Sequence, residues 1–158
     1  MSEADAIVRD QLVQRLRGRG AHMPFEEAIK DFPMERINDR FPNGTYSTWS
    51  LVEHLRRTQA DMLSYITNPE YVHGSWPDDY WPEEAEVASA EDWTDSVNGF
   101  FSDLEALVAI VEDEQTDLYG PMAWAPEHNI MRGVLIICDH NAYHIGELAI
   151  IRQVMETW

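Results

Sequence analysis

Apolar residues recur every three or four positions through long stretches of this chain, and nowhere do they alternate in the strict period of two that strands joined by hairpins require. That periodicity restricts the chain to helices packed stripe against stripe. The first stretch, about 2–18, carries Ile7, Val8, Leu12 and Leu16, opens on Ser2 and Asp5 in the manner of a capping box, and stops at "GRG". A short helix is expected after Pro24, in "PFEEAIKDF". The second long stretch follows the turn "FPNG", with Ser47 as N-cap and Val52, Leu55, Met62, Leu63 and Ile66 as its stripe. Ser89 and Asp92 open the third, whose buried face is marked by Val97, Phe100, Leu104, Leu107 and Val111. The last runs from about Ile130 to Met155. Two long connections interrupt the pattern. One, 67–88, is rich in proline and aromatics, and loops of that length are functional or packed as crossovers. The expectation is one all-α domain over 1–158, a four-helix bundle with long crossover loops.

Charge narrows the partners. With 11 Lys+Arg against 29 Asp+Glu, the formal net charge is -18, which opposes binding to nucleic acid or to an anionic membrane surface. The acidic N-terminus has no secretory h-region, and the longest strictly apolar run, "VLIIC", is too short to span a bilayer, so a cytoplasmic protein is expected. The lone cysteine, Cys138, lies in an apolar run and reads as a buried, inert thiol.

The chemistry concentrates in "DHNAYHIGELAIIRQ", Asp139 to Gln153. His140 and His144 are four apart, hence one turn apart on one helical face. With Ile130 set at zero, they fall at about 280° and about 320°, near Ile137 and Ile151, which reads as the middle of the apolar face. Two imidazoles there need partners, and side chains at this spacing can share one metal ion. A third ligand has to come from another helix. His54, at the edge of the second stripe, is the candidate. Neutral imidazole is the ligand, so occupancy is expected to fall as pH drops through about 6.5.

Other metal motifs fail on spacing. A zincin needs Glu where Asn141 stands, and a di-iron bundle needs paired E-x-x-H motifs that are missing here. Glu147 lies one turn beyond His144 as a candidate catalytic base or histidine-orienting group, although pairing with an arginine is the simpler expectation. Asp61 reads as structural. Asp139 points away from the histidines toward a tertiary bond, and Gly133 would admit a close backbone approach. His73 reads as surface, His22 as near the bundle end, and His128 as close to a helix start. Trp76, Tyr80, Trp81 and Trp124 are candidates for a pocket mouth.

These residues carry a resemblance. "DHNAYHIGELAIIRQ", "TWSLVEHLRRTQADML", "YWP" and the early "LRGRGAHMPFEEAIKDFP" together resemble the DinB-like (DinB/YfiT-type) metalloprotein superfamily across nearly the whole chain. The resemblance implies a four-helix bundle of that type, often a homodimer. It also implies a divalent ion, Zn2+ or Ni2+, on a histidine triad filled here by His54, His140 and His144. Some relatives transfer low-molecular-weight thiols such as bacillithiol or mycothiol. Glu147 departs from the Gln common in the family. Two function classes follow. One is a metal-dependent hydrolase or thiol transferase, with a coordination position open to water or a thiolate. The other is a non-catalytic, metal-stabilised dimer serving as a binding or stress-response module.

Overall fold

The computed structural model describes residues 2–158 and is all-helical. Four long helices, α1 (Glu3–Leu16), α3 (Thr48–Thr67), α4 (Ala90–Glu112) and α5 (Ile130–Val154), are joined by a short α2 (Phe25–Ile29) and a single 3-10 turn at Met34–Arg36. Among the described residues there is no strand, only the isolated bridges Arg40 to Ser47 and Met122 to Ala125. The long helices close a ring of pairwise packing: α3 on α4, α4 on α1, α1 on α5, α5 on α3. The expected helical bundle is present.

Local chemistry sets the ends. The Ser47 hydroxyl accepts the Ser50 N–H at 3.1 Å, and Ser89 with Asp92 forms a full capping box. Asn129 caps α5 by accepting the Arg132 N–H at 2.8 Å. Pro24 is the N-cap of α2 rather than its first helical residue. The "GRG" stop is a Schellman motif: Gly18 takes φ 67, Arg19 N–H bonds Gln14 O at 2.8 Å and Gly18 N–H bonds Arg15 O at 3.0 Å. A Cβ on Gly18 would also stand 2.8 Å from Pro24 Cα.

The stripes behave as periodicity requires, with exceptions. Val52, Leu55, Ile66, Phe100, Leu104, Leu107 and Val111 are buried in one continuous core. On α1, however, Ile7 is exposed while Arg9 is buried. The Arg9 guanidinium donates to the carbonyls of Val111, Asp113 and Thr116, each at 2.8 Å, and so caps the C-terminal end of α4. Arg152 does similar work on α5, donating to Ala28 O at 3.0 Å, Lys30 O at 2.7 Å and Thr157 O, with its cation 4.2 Å from the Trp158 ring centroid. Gly133 meets side chains of α3, not its backbone: a Cβ there would lie 2.7 Å from Ile66 Cγ2.

By length and composition α5 alone among the described helices could cross a bilayer, which a reading of "VLIIC" by itself misses. It is nevertheless packed against α1, α2 and α3.

The crossover between α3 and α4 is tied down by polar bonds to its carbonyls. Arg57 donates to Trp81 O at 3.0 Å and Arg40 to Glu84 O at 2.7 Å, while Asn38 brackets Ala88 with two bonds of 2.8 Å. Arg57 is itself fixed by Glu53, which also binds Arg56. Burial raises the Glu53 pKa, but hydrogen bonds from Arg56, Arg57 and Ser96 outweigh it and bring it down to about 2.

Candidate metal centre

His54, His140 and His144 come together between α3 and α5, beneath the α3–α4 crossover. One ring nitrogen from each lies within 4.8 Å of the other two, a grouping that could hold a metal ion. His54 is 1% exposed, and His140 and His144 are half-buried. That corrects the helical wheel. The centre of the buried face of α5 is formed by Val134, Asn141, Ile145, Leu148 and Arg152, at about 20–60° and 0°, so the histidines stand on its flank. The flank faces α3, and there His54 turns inward to meet them.

The outer nitrogen of each ring is committed to an oxygen. His54 Nδ1 is 2.8 Å from the Tyr80 carbonyl, which can only accept, so Nδ1 carries the proton and Nε2 the lone pair. His144 Nδ1 is 2.8 Å from Glu147 Oε2, with the same consequence. His140 Nδ1 lies 3.4 Å from both Thr58 Oγ1 and Asn141 Oδ1. The Thr58 hydroxyl already donates to His54 O, and the Asn141 amide is oriented by donating to Gln59 Oε1 at 2.8 Å, so both oxygens are left as acceptors. The inner nitrogens therefore face one another as lone pairs. His54 Nε2 and His140 Nε2 are 3.1 Å apart. Two neutral acceptors at that distance repel unless a cation lies between them. A tetrahedral ion with bonds of about 2.0–2.1 Å holds its nitrogens about 3.3 Å apart, close to the 3.1 Å of this one pair.

All three imidazoles are held neutral. Desolvation, against the opposing pull of the Tyr80 bond and with repulsion from His140, brings the His54 pKa down to about 4. Desolvation followed by repulsion from His140 and His54 brings His144 to about 3, and desolvation also lowers His140. The His144–Glu147 contact is thus a hydrogen bond donated by a neutral ring to a carboxylate, not an ion pair.

Glu147 has no arginine partner. It accepts the Tyr46 hydroxyl through Oε1 and His144 through Oε2, while burial pushes its pKa up. The arginine pairing expected from sequence is overturned by Tyr46, which arrives from the loop before α3, 101 positions away, and fills that place. Trp81 stacks on His54 with centroids 3.8 Å apart and planes 8° from parallel, and Tyr46 packs on Trp81.

A cavity of about 300 Å³ opens over the cluster. Its wall includes Trp76 and Tyr80, as expected of a pocket mouth, with Asp61, Thr58 and Ile136. Asp61 accepts the Tyr71 hydroxyl at 2.9 Å, in keeping with a structural carboxylate. His73 is exposed but also stands on this wall. Trp124 does not: its indole donates to Tyr65 O at 2.9 Å, far along α3. His22 and His128 are likewise outside the cluster, on Met23 O and the Tyr65 hydroxyl. Asp139 is exposed and makes no tertiary hydrogen bond, against expectation, because α5 turns it to the surface. Sequence reasoning passed over Tyr46, Thr58 and the Gln59–Asn141 pair as supports. Only Asn141 had a signal: an amide at the centre of an apolar face must be hydrogen-bonded.

No family model, curated protein or solved structure matches this chain.

Proposed function

We propose that the chain is a divalent-metal-binding bundle of DinB-like type. It would hold Zn2+ or Ni2+ on His54, His140 and His144 and act as a metal-dependent hydrolase or low-molecular-weight thiol transferase. The observation that carries this is the set of inner imidazole nitrogens facing one another as lone pairs, each ring backed by an oxygen. A divalent ion bound there supplies a Lewis acid with at least one position free for a small molecule. The residues do the rest. Tyr80 O and Glu147 fix the tautomers of His54 and His144, and Trp81 locks the His54 ring plane. Trp76 and Ile136 supply apolar wall to the cavity, and Glu147, by accepting the Nδ1–H of His144, raises the basicity of that ring as a ligand.

The catalytic reading is favoured over a purely structural metal by the position of the cluster. The apolar core runs continuously without the three histidines, which lie on a flank open to a cavity. Removing the ion should therefore leave the fold in place. The test is metal content by elemental analysis after equilibration with Zn2+. His54→Ala, His140→Ala and His144→Ala should each lose most of the bound ion, and His73→Ala should lose none. Glu147→Gln should weaken affinity about tenfold or more without emptying the site. Full occupancy in His54→Ala would refute the triad. Loss of helical circular dichroism on chelation would move the protein to the structural class.

A further inference from the structure

A second, deeper hollow lies elsewhere in the molecule. It lies between α1, α4 and α5, on the flank of α5 away from the histidines, and measures about 500 Å³. That volume is within the usual range of small-molecule sites, about 300–1,000 Å³. Its floor is apolar, with Phe100, Leu104 and Ile145 all at least nine-tenths buried. Its rim carries Arg15, Arg17 and Arg19 from the end of α1 and the turn after it, against two carboxylates, Glu26 and Glu105. In a chain with 29 acidic and 11 basic residues this is an inversion of the surrounding charge. Arg17 is clamped by the Glu105 carboxylate at 2.6 and 2.9 Å. Arg15 and Arg19 have no carboxylate within ion-pair distance among the described residues, despite the excess of acids. Two exposed guanidiniums left free beside a greasy hollow suit a ligand with an anionic head and an apolar body.

We infer that this pocket binds a small amphipathic carboxylate, its head on Arg15 and Arg19 and its tail on Phe100, Leu104 and Ile145. The cavity opens on the other side of α5 from the histidine rings, with Asn141 lining it while its Oδ1 faces His140, and the proposal stands whether or not a metal binds there. Cys138, the only cysteine of the chain, lines the same cavity and gives it a built-in reporter.

The test follows the rate of Cys138 alkylation at mildly alkaline pH, with octanoate or octan-1-ol as competing probes. Octanoate should slow alkylation in a saturable way. The Arg15→Glu/Arg19→Glu variant should need about tenfold or more octanoate for the same protection, as expected from losing charge-assisted hydrogen bonds. Protection by octan-1-ol, which has the tail without the head, should be weaker in the parent chain and unchanged in the variant. Because both arginines are exposed, the octanol arm also reports that the variant's pocket is intact. No protection by octanoate would overturn the proposal, as would octanoate protection that is unchanged in the variant or no better than that of octan-1-ol.

Discussion

Burying three imidazoles against one another makes each of them hard to protonate, and this sets a pH dependence at the scale of single residues. In the unfolded chain a histidine titrates near 6.5, whereas in the folded, metal-free protein His54 titrates at about 4 and His144 at about 3. Between these values the unfolded state binds more protons, so stability rises with pH across the window and is lost as pH falls from about 6.5 toward 4. Urea midpoints of metal-free protein should therefore drop between pH 7 and pH 5, and His54→Ala/His144→Ala should flatten that slope. Equal slopes in parent and variant would show that these histidines are not the source. The same burial would set proton competition for the proposed ion below the range read from an ordinary imidazole. At this scale the sequence told much. The i, i+4 spacing placed His140 and His144 together, and the stripe edge placed His54. It did not tell that Tyr46 would reach Glu147, because the two are joined only by the path of the chain through three dimensions.

At the scale of elements, helix ends were legible where a capping residue stood in the chain, as at Ser47 and Ser89. The end of α5 was placed to within a residue, at Met155 against the observed Val154, although its stop has no glycine. Glu156 sits at φ 53 and closes a Schellman motif, with Thr157 N–H on Arg152 O at 3.0 Å and Glu156 N–H on Gln153 O at 3.2 Å. A residue with a Cβ is strained in that conformation and glycine is not. Glu156→Gly should raise stability by about 0.5–1 kcal/mol, measured by thermal unfolding. A lower midpoint would show that the side chain contributes more than its strain costs. The 67–88 connection could be read as a crossover from its length and aromatics. Its seating could not, since Arg57 and His54 hold it by the backbone carbonyls of Trp81 and Tyr80, and any residue type supplies a carbonyl.

For the whole molecule, periodicity alone implied helices closing around one core, and the ring of α1, α4, α3 and α5 is that arrangement. What it concealed were Arg9 and Arg152, polar residues inside apolar stripes, each holding carbonyls of distant segments. The exposed side of α5 bears on association. Ile136, Tyr143, Ile150 and Val154 lie at about 200–240° on the wheel, and all are exposed. An apolar stripe of this kind on an otherwise acidic surface fits the homodimer expected from the sequence, which we propose forms through this face. Sedimentation at micromolar concentration should show a dimer, and Tyr143→Glu/Ile150→Glu should give monomer. A parent chain that sediments only as monomer would remove the idea.

The face-to-face contact of Trp81 with His54 has an optical consequence. An indole lying against a ligand ring would sense the electronic state of whatever ion that ring holds. Open-shell Ni2+ added to metal-free protein should quench part of the tryptophan emission, and closed-shell Zn2+ should quench much less. Of the six tryptophans only Trp81 and Trp76 pack on His54, at 3.8 and 6.3 Å, so Trp81→Phe should remove most of the Ni2+ signal. Undiminished quenching in that variant would place the ion away from His54. An ion bound as proposed would thus be reported by the protein's own fluorescence, with no added dye.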